Sequence, residues 1–291
     1  ISACLVGSEM CIRDRHIGDR TGVAVTLNNM ARVYQAIGQP RQALAMYEQA
    51  LPIIREVGDR VGEATILDNV AGIYAVMGEP QLALELFEQT LHIRHEVGDL
   101  RGEADTLNNL AEVRRMLGQP QQALELFERA LQIRREMSDR AGEATTLSNG
   151  ALAYFAMGQM QQALDWNQRA LLIRREISDR VGEANTLKNM AQIYLSMGQS
   201  KRALALFEQV LPIVREVSDR AGEAATLGGM AETYRTIGQS QRALELFGQV
   251  LLIVQNLGNR AGEATILSNM ALAHHAEGKP QRALELYEQA L

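Results

Sequence analysis

Asp99–Ser138 reads DLRGEADTLNNLAEVRRMLGQPQQALELFERALQIRREMS, and the rest of the chain is this stretch again with variations. Forty-residue copies begin at Asp19, Asp59, Asp99, Asp139, Asp179, Asp219 and Asn259, and the last stops at Leu291. Self-similarity at a fixed period of roughly 20–50 residues marks a stacked repeat architecture, in which each unit buries its apolar face on its neighbours. Such an array presents a surface more readily than it performs a reaction.

Within the unit the spacing is helical. Asp99 is a strong N-cap, because its carboxylate can accept from a free backbone N–H of the first turn. Glu103 in that turn suits the positive end of the helix dipole. All seven copies begin with Asp or Asn, and Val23 alone replaces the Glu. Leu107, Leu110, Ala111 and Arg114 then fall at i, i+3, i+4 and i+7, the stripe of an amphipathic helix. Gly118 ends the helix and Pro120 opens the next. The second helix carries Ala123, Leu124, Phe127, Ala130, Leu131, Ile133 and Met137 at similar intervals. Each unit is therefore expected to be an antiparallel helical hairpin. Neither helix is stable alone at this length, and burial of each Leu or Ile, worth about 1.5–3 kcal/mol, comes largely from stacking. The predicted fold is all-α.

The pattern Leu-x-x-[Leu/Met]-Ala-x-x-Tyr, then Gly, Ala, Phe or Tyr and Ala, resembles the tetratricopeptide repeat. In the second copy it is Leu67, Val70, Ala71, Tyr74, Gly78, Ala83 and Phe87; in the fifth it is Leu187, Met190, Ala191, Tyr194, Gly198, Ala203 and Phe207. Arg55, Arg135 and Arg175 stand where that repeat ends in Pro, and six extra residues lengthen the second helix. This long variant is similar to kinesin light chains, spindle-orientation adaptors and large bacterial signalling proteins. The resemblance spans His16 to Leu291 and implies a right-handed α-solenoid whose first helices line a concave, peptide-binding groove. Arg114 and His274 in place of Tyr, Asn167 in place of Phe and Gly150 in place of Leu or Met depart from the pattern. They bear on local packing rather than on the fold.

Residues 1–15, ISACLVGSEMCIRDR, match nothing in the repeats. They resemble a translated sequencing-adapter scar and are expected to be irregular or disordered; a native cap helix is the alternative. His16–Gly18 aligns with the tail of a preceding repeat, so the chain is read as a fragment with the solenoid over residues 19–291. Both cysteines, Cys4 and Cys11, lie before the repeats, which fits a reducing, cytoplasmic setting. The net charge of −6, with both signs interspersed, argues against nucleic acid. No apolar run approaches the roughly 18 residues that span a bilayer.

The residue before the core Leu or Met is Asn29, Asn69, Asn109, Asn149, Asn189 and Asn269, and only Gly229 breaks the series. This place lies about 150° from the core stripe. Asn is a mediocre helix former, so its persistence asks for a reason. One reading is an amide ladder for the backbone of an extended peptide, since each side chain offers one acceptor and two donors. The other is a bond to the neighbouring hairpin that fixes repeat spacing. Both stay open. The place three residues on varies through Arg32, Gly72, Glu112, Leu152, Gln192, Glu232 and Leu272. Towards the flank follow Gln35, Ala75, Arg115, Phe155, Leu195, Arg235 and His275. Candidate groove residues are accordingly the six asparagines with Arg32, Glu112, Gln192, Glu232, Arg115 and Arg235; ordinary drift of exposed positions is the competing account. Trp166 and Phe155 either refill the space left by Asn167 or form an aromatic anchor.

The glycines from Gly22 to Gly262 in each first turn suggest close approach of the preceding long helix. Glu and Arg at three- and four-residue spacing read as surface ion pairs, each worth little. No catalytic constellation, metal-ligand set or cofactor motif is present: Gly278-Lys279-Pro280 is not a phosphate loop, and His274 and His275 diverge by about 100° on a helix. The expected partner is a protein or peptide, bound by a scaffold. Alternatives are a structural or self-association spacer and the sensor arm of a larger bacterial protein.

Overall fold

The computed structural model describes residues 20–291, so the readings of residues 1–15 and 16–18 lie outside the described residues. Those described form fourteen α-helices and no strand. First helices of the repeats are α1 (Arg20–Ala36), α3 (Arg60–Val76), α5 (Leu100–Met116), α7 (Arg140–Ala156), α9 (Arg180–Ser196), α11 (Arg220–Thr236) and α13 (Arg260–Ala276). Second helices are α2 (Pro40–Val57), α4 (Pro80–Val97), α6 (Pro120–Glu136), α8 (Met160–Glu176), α10 (Ser200–Glu216), α12 (Ser240–Asn256) and α14 (Pro280–Ala290). The chain divides into two compact units, one ending at Met157 and carrying α1–α7, the other starting at Gly158 and carrying α8–α14.

Helix starts follow the expected chemistry. The side chains of Asp59, Asp99, Asp139, Asp179, Asp219 and Asn259 each accept from the backbone N–H three residues on, at 2.8–3.0 Å. This satisfies one of the orphan donors of the first turn. Second helices have no side-chain cap; α2, α4, α6 and α14 open instead on a proline, whose missing N–H is no loss there.

Stops are less uniform. Ser138, Ser178 and Ser218 adopt φ of 55°, 58° and 56° at the ends of α6, α8 and α10, where other copies use glycine. A left-handed L-residue costs about 1–2 kcal/mol. It is held because the turn closes two bonds: Ser138 N–H donates to Arg135 O at 3.0 Å and Asp139 N–H to Arg134 O at 2.8 Å.

The core is built across repeats. In the first unit Phe87 of α4 clusters with Ala71 of its own hairpin and with Leu110 and Val113 of the next first helix. In the second unit Phe207 of α10 does the same with Ala191 and with Met230. Each hairpin therefore completes its neighbour's core, as the stripe pattern requires.

Candidate functional site

All twelve candidate residues lie on first helices, those of the first unit on α1, α3, α5 and α7 and those of the second on α9, α11 and α13. Asn29, Asn109, Arg32 and Gln192 are exposed; Asn69, Asn149, Asn189, Asn269, Glu112, Arg115, Glu232 and Arg235 are half-buried. Position alone does not make them equivalent, because their bonds differ.

Two asparagines are tied to the preceding first helix. Asn109 Nδ2 donates to Asp68 Oδ2 at 3.2 Å, and Asn149 Nδ2 donates to Asn108 Oδ1 at 3.3 Å. Thr106 Oγ1 adds a 2.8 Å bond to Asp68 Oδ1. Burial pushes the Asp68 carboxyl above the usual carboxylate range, against the bond from Thr106 and the nearby Arg94. The side chains of Asn29, Asn69, Asn189 and Asn269 make no hydrogen bond among the described residues.

At Gly229, which breaks the series, the Phe207 ring stands close to the backbone. A Cβ there would lie 2.8 Å from Phe207 Cζ, so the ring occupies the space an asparagine needs.

The variable candidates partly cancel one another. Arg115 grips Glu112 through Nε and Nη2, and Arg235 grips Glu232 in the same way. The hydrogen bond that each guanidinium donates to its carboxylate raises the arginine above its ordinary value. These pairs present balanced charge rather than naked ions. Around Arg32, the buried Tyr47 phenol donates to Gln35 Oε1 at 3.1 Å. Burial pushes that phenol up to about 12, and Arg32 opposes the shift.

Exposed pairs such as Arg60–Glu96 and Arg282–Glu285 fit the reading of surface ion pairs, but in four copies the first-turn Glu is buried. Glu63 is only 4 % exposed, and Glu143, Glu183 and Glu223 are also buried. Each is clamped by two arginines: Arg55 Nε lies 2.7 Å from Glu63 Oε1, and Arg60 Nη1 lies 2.5 Å from Oε2. Arg135 and Arg140, Arg175 and Arg180, and Arg215 and Arg220 repeat the clamp. The arginine that replaces the terminal Pro of the usual repeat thus closes the seam between hairpins. In the third copy His95 and Leu100 stand in place of both arginines, and Glu103 has only His95 at 3.7 Å and Arg129 at 4.0 Å.

Spacing also failed to single out Arg94, Arg134 and Arg174. They occupy the place held by Ile54, Val214 and Val254 in other copies. Each reaches the capping Asp five residues on: Arg94 to Asp99 at 2.7 Å, Arg134 to Asp139 at 2.5 Å and Arg174 to Asp179 at 2.6 Å. The available signal was an arginine at an otherwise apolar place, always followed by that Asp. Their guanidinia lie over Gly102, Gly142 and Gly182, so the expected close approach of the long helix holds there. At Gly62, Gly222 and Gly262 the nearest atoms are those of the capping side chain.

Trp166 and Asn167 are buried; Asn167 Nδ2 donates to Ala163 O at 3.0 Å, and its Oδ1 is left without a partner. Among the described residues no group of three or more His, Cys, Asp or Glu could hold a metal ion, and no helix is long and apolar enough to cross a membrane.

Comparison with known proteins agrees with this geometry. The sequence profile of the tetratricopeptide repeat family matches residues 9–56, 62–136, 142–216 and 218–291. No curated protein matches the chain by sequence. Among solved structures, nearly identical TPR-like repeats from Podosopora anserina, named for a kinesin light chain, are 28% identical, with a TM-score of 0.56 over 64% of this chain and 92% of that one. A signal transduction ATPase with numerous domains and a tetratricopeptide repeat sensor, from Pyrococcus horikoshii, gives 0.76 at 15% identity over 95% of this chain and 42% of that one. The apo quorum sensor NprR from B. thuringiensis gives 0.76 at 15% identity over 97% and 80%.

Proposed function

The chain belongs to the tetratricopeptide repeat family and is a protein-interaction scaffold, and we propose that, within each compact unit, the exposed side of its first helices captures an extended peptide segment of a partner protein. One observation carries this reading. Asn29 and Asn69 in the first unit and Asn189 and Asn269 in the second keep their amides free, while Asn109 and Asn149 spend theirs on the neighbouring helix. The asparagine series therefore has two roles. Two members fix hairpin spacing, and four offer donors and acceptors to a peptide backbone. Each such bond contributes about 0.5–1.5 kcal/mol, so capture needs several together. Each unit carries one such self-neutralised pair, Glu112–Arg115 in the first and Glu232–Arg235 in the second, which leaves selection to local shape.

A peptide-library pull-down tests this. Changing Asn29, Asn69, Asn189 and Asn269 together to Ala is expected to abolish capture. Changing Asn109 and Asn149 is expected to act chiefly through stability. No captured peptide, or capture indifferent to the four free asparagines, sinks the reading.

A further inference from the structure

Between α1 and α3 a crevice of about 240 Å³ opens on the exposed side of the first unit, with Asn28, Ile54, Asp59 and Gly62 among its lining. We infer that this crevice is a socket for the arginine side chain of a bound peptide, whose guanidinium would stand where the protein's own Arg94 and Arg134 stand in the next two repeats. The inference rests on, and deepens, the peptide-capture reading above.

The repeat supplies its own comparison. Ile54 is in register with Arg94, Arg134 and Arg174, and Asp59 with Asp99, Asp139 and Asp179. In those three copies one oxygen of the capping carboxylate accepts from the helix N-terminus and the other accepts from the internal guanidinium. Asp59 keeps the first bond, to Gly62 N–H at 2.9 Å, and no cation pairs with it among the described residues. Its second oxygen lies beside the place a Cβ of Gly62 would take, just as its counterparts do at Gly102, Gly142 and Gly182. The acceptor is thus preset for a guanidinium that this copy lacks.

A second acceptor lines the same crevice. Asn28 Oδ1 is buried and has no hydrogen-bond partner. Its counterpart Asp68 is occupied by Thr106 and Asn109, and its counterpart Asn108 by Asn149. The floor of Ala24, Ile54 and Ile66 and the wall of Val25 and Val61 suit the methylene stem of an arginine, and the two oxygens suit its planar, forked head. The remaining copies without a floor arginine differ in register. Where Val214 replaces it, Lys188 stands at the place of Asn28, and where Val254 does, the cap is the uncharged Asn259. Asp59 is left as a capping carboxylate to which neither nearby arginine is paired, since Arg55 and Arg60 are both engaged by Glu63.

The test uses the full chain, ¹⁵N-labelled, titrated with acetyl-Ala-Arg-Ala-amide and with the same tripeptide carrying citrulline, which keeps the shape and loses the charge. The arginine tripeptide is expected to shift the Gly62 backbone and Asn28 side-chain resonances and to bind at least tenfold more tightly than the citrulline one. Asp59→Asn retains a competent cap, as Asn259 does, and is expected to weaken arginine binding at least tenfold. Ile54→Arg is expected to fill the socket from within, abolish those shifts and raise the melting temperature. Equal binding of citrulline, or binding unchanged by Asp59→Asn, overturns the socket. Library peptides captured without any need for arginine also overturn it and leave the capture reading standing; arginine shifts at Gly62 and Asn28 in a chain that captures no library peptide do the reverse.

Discussion

Asn109 donates its side-chain amide to Asp68 across two hairpins at 3.2 Å, while Asn69, in the same register one repeat earlier, makes no hydrogen bond among the described residues. The difference is set by the residue at the other side of the seam. Asp68 is drawn into a network with Thr106, whereas Asn28 lines an open crevice.

Asn109→Ala is expected to lower stability by about 0.5–1.5 kcal/mol, the net worth of one such bond. Asn69→Ala is expected to leave it unchanged or raise it by up to about 0.7 kcal/mol, since Ala is the better helix former. Urea unfolding midpoints of the two variants check this; equal losses would contradict it.

Asp68 sets a pH dependence. Its folded carboxyl sits above the ordinary value of 3.8, chiefly through burial. A raised folded value means that the folded state binds the proton more readily. The contribution is fully present below pH 3.8 and is lost as pH rises through the folded value. Asp68→Asn should therefore gain on the native chain as pH climbs from 3.8 towards 7. Melting curves across that range check it, and a gap that narrows with rising pH would refute it.

The glutamate clamp predicts unequal seams. Glu63→Ala removes a buried carboxylate bonded by two arginines and is expected to cost about 1–3 kcal/mol. Glu103→Ala removes only long contacts and is expected to cost less than about 1 kcal/mol. Thermal melts of both, at low and high salt, distinguish them.

Gly229→Asn would restore the asparagine series and improve helix propensity by a few tenths of a kcal/mol. It is nevertheless expected to destabilise by about 1–3 kcal/mol, because the new Cβ meets the Phe207 ring at 2.8 Å. Phe207→Leu in the same chain should recover part of the loss.

Much of this was legible in one dimension because it is local. The caps at Asp59 and Asp99, the stop at Gly118 and the stripe Leu107, Leu110 and Ala111 follow from spacing and single-residue chemistry. The exposure of Asn29 and Arg32 was legible too, since a helical wheel places both away from the core. The left-handed Ser138, Ser178 and Ser218 were not, because only the closing bonds of the turn compel that conformation.

By itself the sequence determined that helices form, where they start and that they pair into stacked hairpins, because forty-residue periodicity leaves each apolar stripe no other burial. Only the tertiary structure decided which of several identical side chains are spent. Asn109 is tied and Asn69 is free, Glu63 is clamped and Glu103 is not, and Asp99 holds an arginine that Asp59 lacks. Those outcomes depend on what the neighbouring hairpin brings within about 3 Å, the reach of a hydrogen bond, and residues some forty positions apart share no pattern that a single repeat can reveal.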